Sequence, residues 1–124
     1  MVLAMAVTRE RAASALRDIF GSALMRALTE SARLELVRLL LEQGPLDVSA
    51  LANQVPQERS VVSRHLKVLE EAGIVEVRKQ GRFRVYALSG VTLVAQLEGL
   101  VQRIRALMPA CCPPADAPKR SRAR

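Results

Sequence analysis

The stretch SVVSRHLKVLEEAGIVEVRKQGRFRVYAL, residues 60–88, changes its hydrophobic period once, at Gly73, and that change decides the fold. Before it, Val62, Leu66 and Leu69 recur at i, i+4 and i+7, the spacing of one buried helical stripe. After it, Ile74–Lys79 and Arg82–Leu88 are rich in Val, Ile, Phe and Tyr and flank Gln80-Gly81. That pattern predicts a β-hairpin, with Gly81 free to take the positive φ of a tight turn. The spacing predicts a helix from about Gln57 to Ala72, stopped by Gly73. Upstream, Ser49 is a plausible N-cap for a short helix over Ala50–Val55, broken by Pro56. Helix, tight turn, helix and hairpin follow one another without a gap, in the length range of a helix-turn-helix.

The flanks complete one domain. Residues 1–8 read as a flexible leader, and Arg9–Phe20 as a helix with Leu16, Ile19 and Phe20 at helical spacing. Gly21–Leu28 allows a short separate helical turn. Thr29 or Ser31 then caps a helix whose stripe is Leu34, Val37, Leu40 and Leu41, ended by Gly44-Pro45. Leu46-Asp47-Val48 looks extended. From Ser89 to Met108 helical periodicity returns, with Leu93, Leu97, Leu100, Ile104 and Leu107 on one stripe and Pro109 closing it. That stripe exceeds what a small core needs, which favours a second copy of the chain as its partner. Residues 109–124, with four prolines and a basic end, read as a disordered tail. The expected domain is therefore 9–108, mainly α with a β-hairpin wing, a winged helix-turn-helix.

Charge and placement point to duplex DNA. The 124-residue chain carries a formal net charge of +7, which favours a polyanionic partner. Charge alone equally fits simple solubility, so position has to decide. Ser60, Ser63, Arg64 and Lys67 lie at i, i+3, i+4 and i+7, a face of small hydroxyls and long cations opposite the apolar stripe. Arg forks onto guanine and Ser bonds bases or phosphates, so this face suits the major groove. Gln57, Glu58 and Arg59 at the helix start are further candidates for base edges. An amphipathic helix with an ordinary solvated face would look similar. The hairpin tips the balance: Arg78, Lys79, Arg82 and Arg84 crowd its tip, within reach of adjacent backbone or minor groove. Phe20, Phe83 and Tyr86 are the only aromatics, too few for a single-stranded stacking platform.

The block Ser63-Arg64-His65-Leu66-Lys67-Val68-Leu69-Glu70-Glu71-Ala72-Gly73-Ile74-Val75, with Arg78-Lys79-Gln80-Gly81-Arg82 and Tyr86-Ala87-Leu88, resembles the ArsR/SmtB family of winged-helix repressors. The likeness covers about residues 24–108. It implies a homodimer joined by its terminal helices, here Leu16, Ile19 and Phe20 with Leu93, Leu97, Leu100, Ile104 and Leu107. It also implies a near-palindromic double-stranded operator, released by an inducer. His65, the only histidine, lies between the apolar stripe and the polar face, where packing outweighs ligation.

The sequence departs from the family's best-known metal sites. A Leu-Cys-Val-Cys signature is replaced by Leu46-Asp47-Val48-Ser49, and the last helix holds Glu98 but no histidine. Two adjacent thiols remain, Cys111 and Cys112, between Pro109 and Pro113. Soft thiolates suit trivalent arsenicals and other thiophilic ions. A redox sensor and a pair without sensing role stay open, as does a small organic inducer. No cofactor is required. One histidine, no paired carboxylates and no Gly-rich phosphate loop give no basis for an enzyme. An architectural DNA-binding protein and a protein-interaction module remain competing classes. Val2–Val7 is too short to span a membrane and Arg38 interrupts Leu34–Leu41, so a cytoplasmic protein with reduced cysteines is expected.

Overall fold

The computed structural model describes residues 7–112. Six helices and a three-stranded sheet follow in the order α1 (Arg9–Phe20), α2 (Ala23–Leu28), α3 (Ser31–Gln43), β1 (Leu46–Asp47), α4 (Val48–Ala52), α5 (Arg59–Glu71), β2 (Val75–Gln80), β3 (Phe83–Leu88) and α6 (Gly90–Cys111). Residues 1–6 and 113–124, most of the expected leader and tail, lie outside the described residues.

Local chemistry sets most boundaries. Thr8 is the N-cap of α1, its hydroxyl accepting from Arg11 N–H at 3.1 Å, so the leader's last residue already belongs to the domain. Ser22 caps α2 in the same way. Gly44 ends α3 at φ +80 and Gly73 follows α5 at φ +77, conformations that other residues rarely adopt. Two expected caps and one expected helix start differ. The N-cap of α3 is Glu30, with no side-chain hydrogen bond, rather than Thr29 or Ser31. Asp47, not Ser49, caps α4, accepting from Ala50 N–H at 2.7 Å, so that helix starts at Val48 and ends at Ala52 instead of running from Ala50 to Val55. α5 begins at Arg59, two residues later than expected, behind Glu58 as N-cap.

At the other end α6 runs through Pro109 to Cys111 instead of closing at Pro109. Proline forfeits one bond to the carbonyl four residues back, here Arg105, which is exposed in the helix's last turns. Cys112 N–H donates to the Met108 carbonyl at 2.8 Å and completes the end.

The sheet order is β1-β3-β2, all antiparallel. Leu46 pairs with Tyr86 and Asp47 with Val85, so beyond Val85 the wing is a two-stranded ribbon. Gln80 pairs with Phe83, leaving Gly81-Arg82 as the turn. Gly81 has φ +62 while Arg82, like every described non-glycine residue, has a negative φ. This is the type II′ arrangement, which matches the twist of the strands.

The core lies where α2, α3, α4 and α5 meet one face of the sheet. Val62, Leu66 and Leu69 are all at most 1% exposed, so the stripe read from the sequence is the buried one. In α3 it is only half so: Leu40 is buried and Val37 packs against the core as expected, but Leu36 and Leu39 are the other buried residues, while Leu34 is exposed and Leu41 is 74% exposed. Arg38, between those two exposed leucines, pairs on the surface with Glu35 and Glu42. Its hydrogen bond holds the Glu35 carboxyl below the usual range.

These burials predict opposite outcomes for two leucines. Leu66→Ala is expected to lower unfolding free energy by roughly 2–5 kcal/mol, from lost transfer and a residual cavity. Leu41→Ser is expected to stay within about 0.5 kcal/mol. Urea denaturation at fixed protein concentration checks both, and equal losses would mean the α3 stripe is wrongly placed.

Candidate nucleic-acid interface

Because α5 buries Val62, Leu66 and Leu69, its other side must face out. Arg59, Ser63, Lys67 and Glu70 line a groove of about 720 Å³ shared with the wing, opposite Arg82, Phe83, Arg84 and Tyr86. Ser60 and Arg64, both exposed, continue the outer side beyond the groove's lining. The polar face over Ser60, Ser63, Arg64 and Lys67 is continuous around the helix, and its Ser63–Lys67 edge lines the groove, with Ser63 half-buried. Gln57 lies outside the helix, half-buried ahead of Glu58.

Strand parity divides the wing cations as well. Val77 pairs with Tyr86, which is buried, so these two point to the core. Lys79 and Arg84, directly opposite each other, lie on that same face further along, where the core has ended. Arg78 is on the other face, opposite Val85, and pairs with Glu76 at 2.9 Å. Arg78 is therefore set apart from the groove, and Arg84, which the residue-by-residue reading left among the general tip charge, lines it.

The electrostatics of the groove are unbalanced. Four cations (Arg59, Lys67, Arg82 and Arg84) line it with two carboxylates, Asp47 and Glu70. Asp47 is engaged as the α4 cap. Among the described residues none of the four cations is in an ion pair. Lys79 opposite Arg84 adds a cross-strand pair of like charge, which costs stability.

Two polar contacts hold α5 in place. Arg33 on α3 donates from Nε to the Ala27 carbonyl at 3.0 Å and from Nη2 to the Arg26 carbonyl at 2.9 Å. Its Nη1 lies 3.3 Å from His65 Nδ1. An arginine has only donors, so His65 Nδ1 is the acceptor and the imidazole is spent on packing α5 against α2 and α3. At the far end, Gln96 of α6 donates to the Ala72 carbonyl at 2.8 Å. Among the described residues no three His, Cys, Asp or Glu side chains gather as a metal site.

Residues 30–77 match the signature of the bacterial regulatory protein, arsR family. A crystal structure of a possible transcriptional regulator for arsenical resistance is 36% identical, covers 74% of this chain and 99% of its own, and superposes with a TM-score of 0.57. The chain belongs to the ArsR family. The homodimeric winged helix-turn-helix DNA-binding domain of a possible ArsR-family regulator from Mycobacterium bovis is 31% identical over 82% of this chain and 91% of that one, with a TM-score of 0.55. The arsenical resistance operon repressor of Escherichia coli K12 is 41% identical over 66 residues, 53% of this chain and 56% of that repressor. The matched part thus spans little more than half of that relative. As an ArsR-family chain the protein has the winged helix-turn-helix fold, and its relatives are transcriptional regulators, not enzymes. Among the described residues no helix is long and apolar enough to cross a membrane.

The wing's charge pair predicts a stability gain on losing a cation. Arg84→Gln should stabilise the DNA-free protein by about 0.2–1 kcal/mol at low salt, fading as salt is added. Arg78→Gln, which loses the Glu76 pair, should give no such gain. Thermal melting across a salt series checks this, and an unstabilised Arg84 variant at low salt would remove the repulsion from the account.

Proposed function

We propose that the protein is a homodimeric, sequence-specific double-stranded DNA-binding transcriptional repressor, released from its operator by a thiophilic ligand at Cys111 and Cys112. The observation that carries the DNA reading is the groove between α5 and the wing, lined by four cations outside any ion pair. In this reading α5 enters the major groove. Arg64, Ser60 and Arg59 meet base edges, and Ser63 and Lys67 meet phosphates. Arg82, Arg84 and Lys79 reach the adjacent backbone or minor groove. Phosphates neutralise the Lys79–Arg84 repulsion, so the charge that strains the ribbon becomes affinity in the complex. Arg78, on the opposite face, contributes long-range attraction only.

Support for a dimer comes from α6 and from the homodimeric M. bovis relative. α6 carries two apolar rows. Leu93, Leu100, Ile104 and Leu107 are half-buried within the protomer, and Ile19 on α1 is fully buried, so these residues support the interface from beneath. Val91, Val94, Leu97, Val101 and Met108 are exposed, as is Phe20 of α1. The surface offered to a second copy is this second row. Its members at 94, 97, 101 and 108 fall within about 60° of one another around the helix axis, with Ile104 at the edge of that face completing the three- and four-residue spacing of a helix-pair seam. Two-fold symmetry then presents two α5 helices to half-sites about one helical turn apart.

The inducer reading rests on donor chemistry and place. Cys111 ends α6 and Cys112 follows it, exposed, immediately beyond Met108 of the outer row. Two vicinal thiolates match the two open valences of a monomethylated trivalent arsenical. A ligand at this end of α6 acts on how the two copies pack, and needs to favour the released state by only about 1–3 kcal/mol.

Fluorescence anisotropy on a duplex selected from a random pool tests each part. Lys67→Ala should weaken binding to all sequences and lower the slope of log K against log salt by about 1. Arg64→Ala should relax preference at one base position, costing about 1–3 kcal/mol there. Steep salt dependence with little preference among sequences would instead mark an architectural DNA-binding protein. Methylarsenite should release the reduced protein, and the Cys111→Ser, Cys112→Ser double variant should bind DNA normally but ignore the ligand. Tight binding indifferent to methylarsenite would remove the arsenical and leave oxidants or an organic inducer.

A further inference from the structure

The recognition helix α5 and the outward-facing helix α6 meet at one side-chain joint. Gln96, half-buried on α6, donates from Nε2 to the Ala72 carbonyl at 2.8 Å. Ala72 is the C-cap of α5, so its carbonyl is one of the acceptors a helix end leaves without an intrahelical donor. The next residue, Gly73, is held to glycine twice over. Its φ is +77, and a Cβ there would lie 2.2 Å from Gln96 Nε2 and 2.9 Å from Thr92 Cγ2. A side chain at this point would have to displace the Gln96 amide and the Thr92 methyl. Elsewhere α6 rests chiefly on α1, and on the core through Leu93 and Leu100. The Gln96 amide is therefore the side-chain contact by which α6 holds the end of α5, beside the backbone bond from Ser89 N–H at the start of α6 to the Ile74 carbonyl at 2.9 Å.

We propose that Gln96 is a positioning residue for DNA recognition, its bond to the Ala72 carbonyl fixing the tilt of α5 against α6 and so the half-site spacing that the dimer accepts. The inference rests on the reading that two copies join through α6 and bind two half-sites. Leverage makes a single bond matter. α5 has 13 residues and is about 20 Å long. With the Ala72 end released, a tilt of about 10° about the His65 contact displaces the N-terminal end, about 9 Å away, by about 1.6 Å, roughly half the rise of one base pair. That end carries Arg59 and Ser60, and recognition helices read bases chiefly with their N-terminal residues. Arg33 holds His65 near the middle of α5, and Gln96 supplies the second point of attachment that a fixed direction requires.

The test uses duplexes carrying two copies of the half-site that the wild-type protein selects, at the best spacing and at one base pair more or less, with a single half-site as control. Gln96→Met keeps the length of the side chain and removes the donor. Gln96→Glu sets a carboxylate against the carbonyl. Both variants should keep wild-type affinity for the single half-site. Their preference for the best spacing should fall by about fivefold, or about 1 kcal/mol at 1.4 kcal/mol per tenfold, with the larger loss in the Glu variant. A merely structural role would lower melting temperature and weaken all duplexes alike, which overturns the proposal. Wild-type spacing preference in both variants overturns it too. A wild-type protein that binds two half-sites no better than one overturns the dimer reading and this inference with it.

Discussion

The rotation of α5 about its own axis is the constraint on which the rest of the structure depends. Val62, Leu66 and Leu69 are buried to the last percent, and each is worth about 1.5–3 kcal/mol of transfer free energy. Successive residues on a helix are about 100° apart, so a slip of one position would drive Ser63 and Lys67 inward without partners. Burial on one side thus presents Arg59, Ser60, Ser63, Arg64 and Lys67 on the other, although none of these five makes a contact that directs it there. Apolar burial fixes rotation but is non-directional along the axis. Packing against α2, α3, α4 and β2 limits tilt and axial position, and the hydrogen bonds of Arg33 to His65 in the middle and Gln96 to Ala72 at the end add directional contacts to it.

The wing obeys a different economy. β3 is the central strand, and β1 supports it at only two positions, Tyr86 and Val85. Past them the ribbon has no core beneath it, and the residues there are Lys79, Arg82 and Arg84. Exposed edge strands carry cations as protection against edge-to-edge pairing, which accounts for charge on the solvent-facing side such as Arg78. It does not account for Lys79 placed directly opposite Arg84, since like charges in register destabilise the ribbon. A like-charge pair on the exposed ribbon, on the face whose Arg84 lines the groove beside α5, is the kind of repulsion that a bound polyanion relieves.

Where sequence and structure agree, one pattern dominated locally. The stripe of α5 and the hairpin were legible because a period of 3.6 gave way to a period of 2 across Gly73, with glycines at both turning points. α1 was legible to the residue. In α3 the leucines at 34, 36, 39, 40 and 41 with Val37 are consistent with more than one stripe, and only packing against α2 and α5 selects 36, 39 and 40. The caps differ because Asp47, Ser49, Thr29 and Ser31 are all competent cap residues, and strand pairing at Leu46–Asp47 decides for Asp47. The side on which Arg78 falls is a matter of parity. Adjacent strand residues alternate, and nothing local says which set is inward until Val77 pairs with buried Tyr86. The same limit hid which edge of the recognition helix lines the groove, since the groove needs the wing, whose approach no helical wheel contains.

α6 is the sharpest case of a sequence supporting two structural uses at once. It is apolar on more than one side, and periodicity alone offers the strongest row, Leu93, Leu97, Leu100, Ile104 and Leu107, as the contact with a partner. The structure assigns most of that row to the protomer itself, over α1 and the core, and leaves Val91 at 88% exposure with Val94, Leu97 and Val101 beside it. A chain this small has little core to spare, so the stronger row goes inward and the weaker, valine-rich one remains. In the proposed ligand-released repressor, a weaker outer row has a physical use. Interfaces built from modest apolar contacts are shifted by ligand energies of a few kcal/mol, whereas a row as apolar as the core would resist them. In the proposed assembly one helix thus joins the two copies, holds the end of α5 through Gln96 and ends at Cys111, so that packing changes along α6 bear directly on the direction of the helices that read DNA.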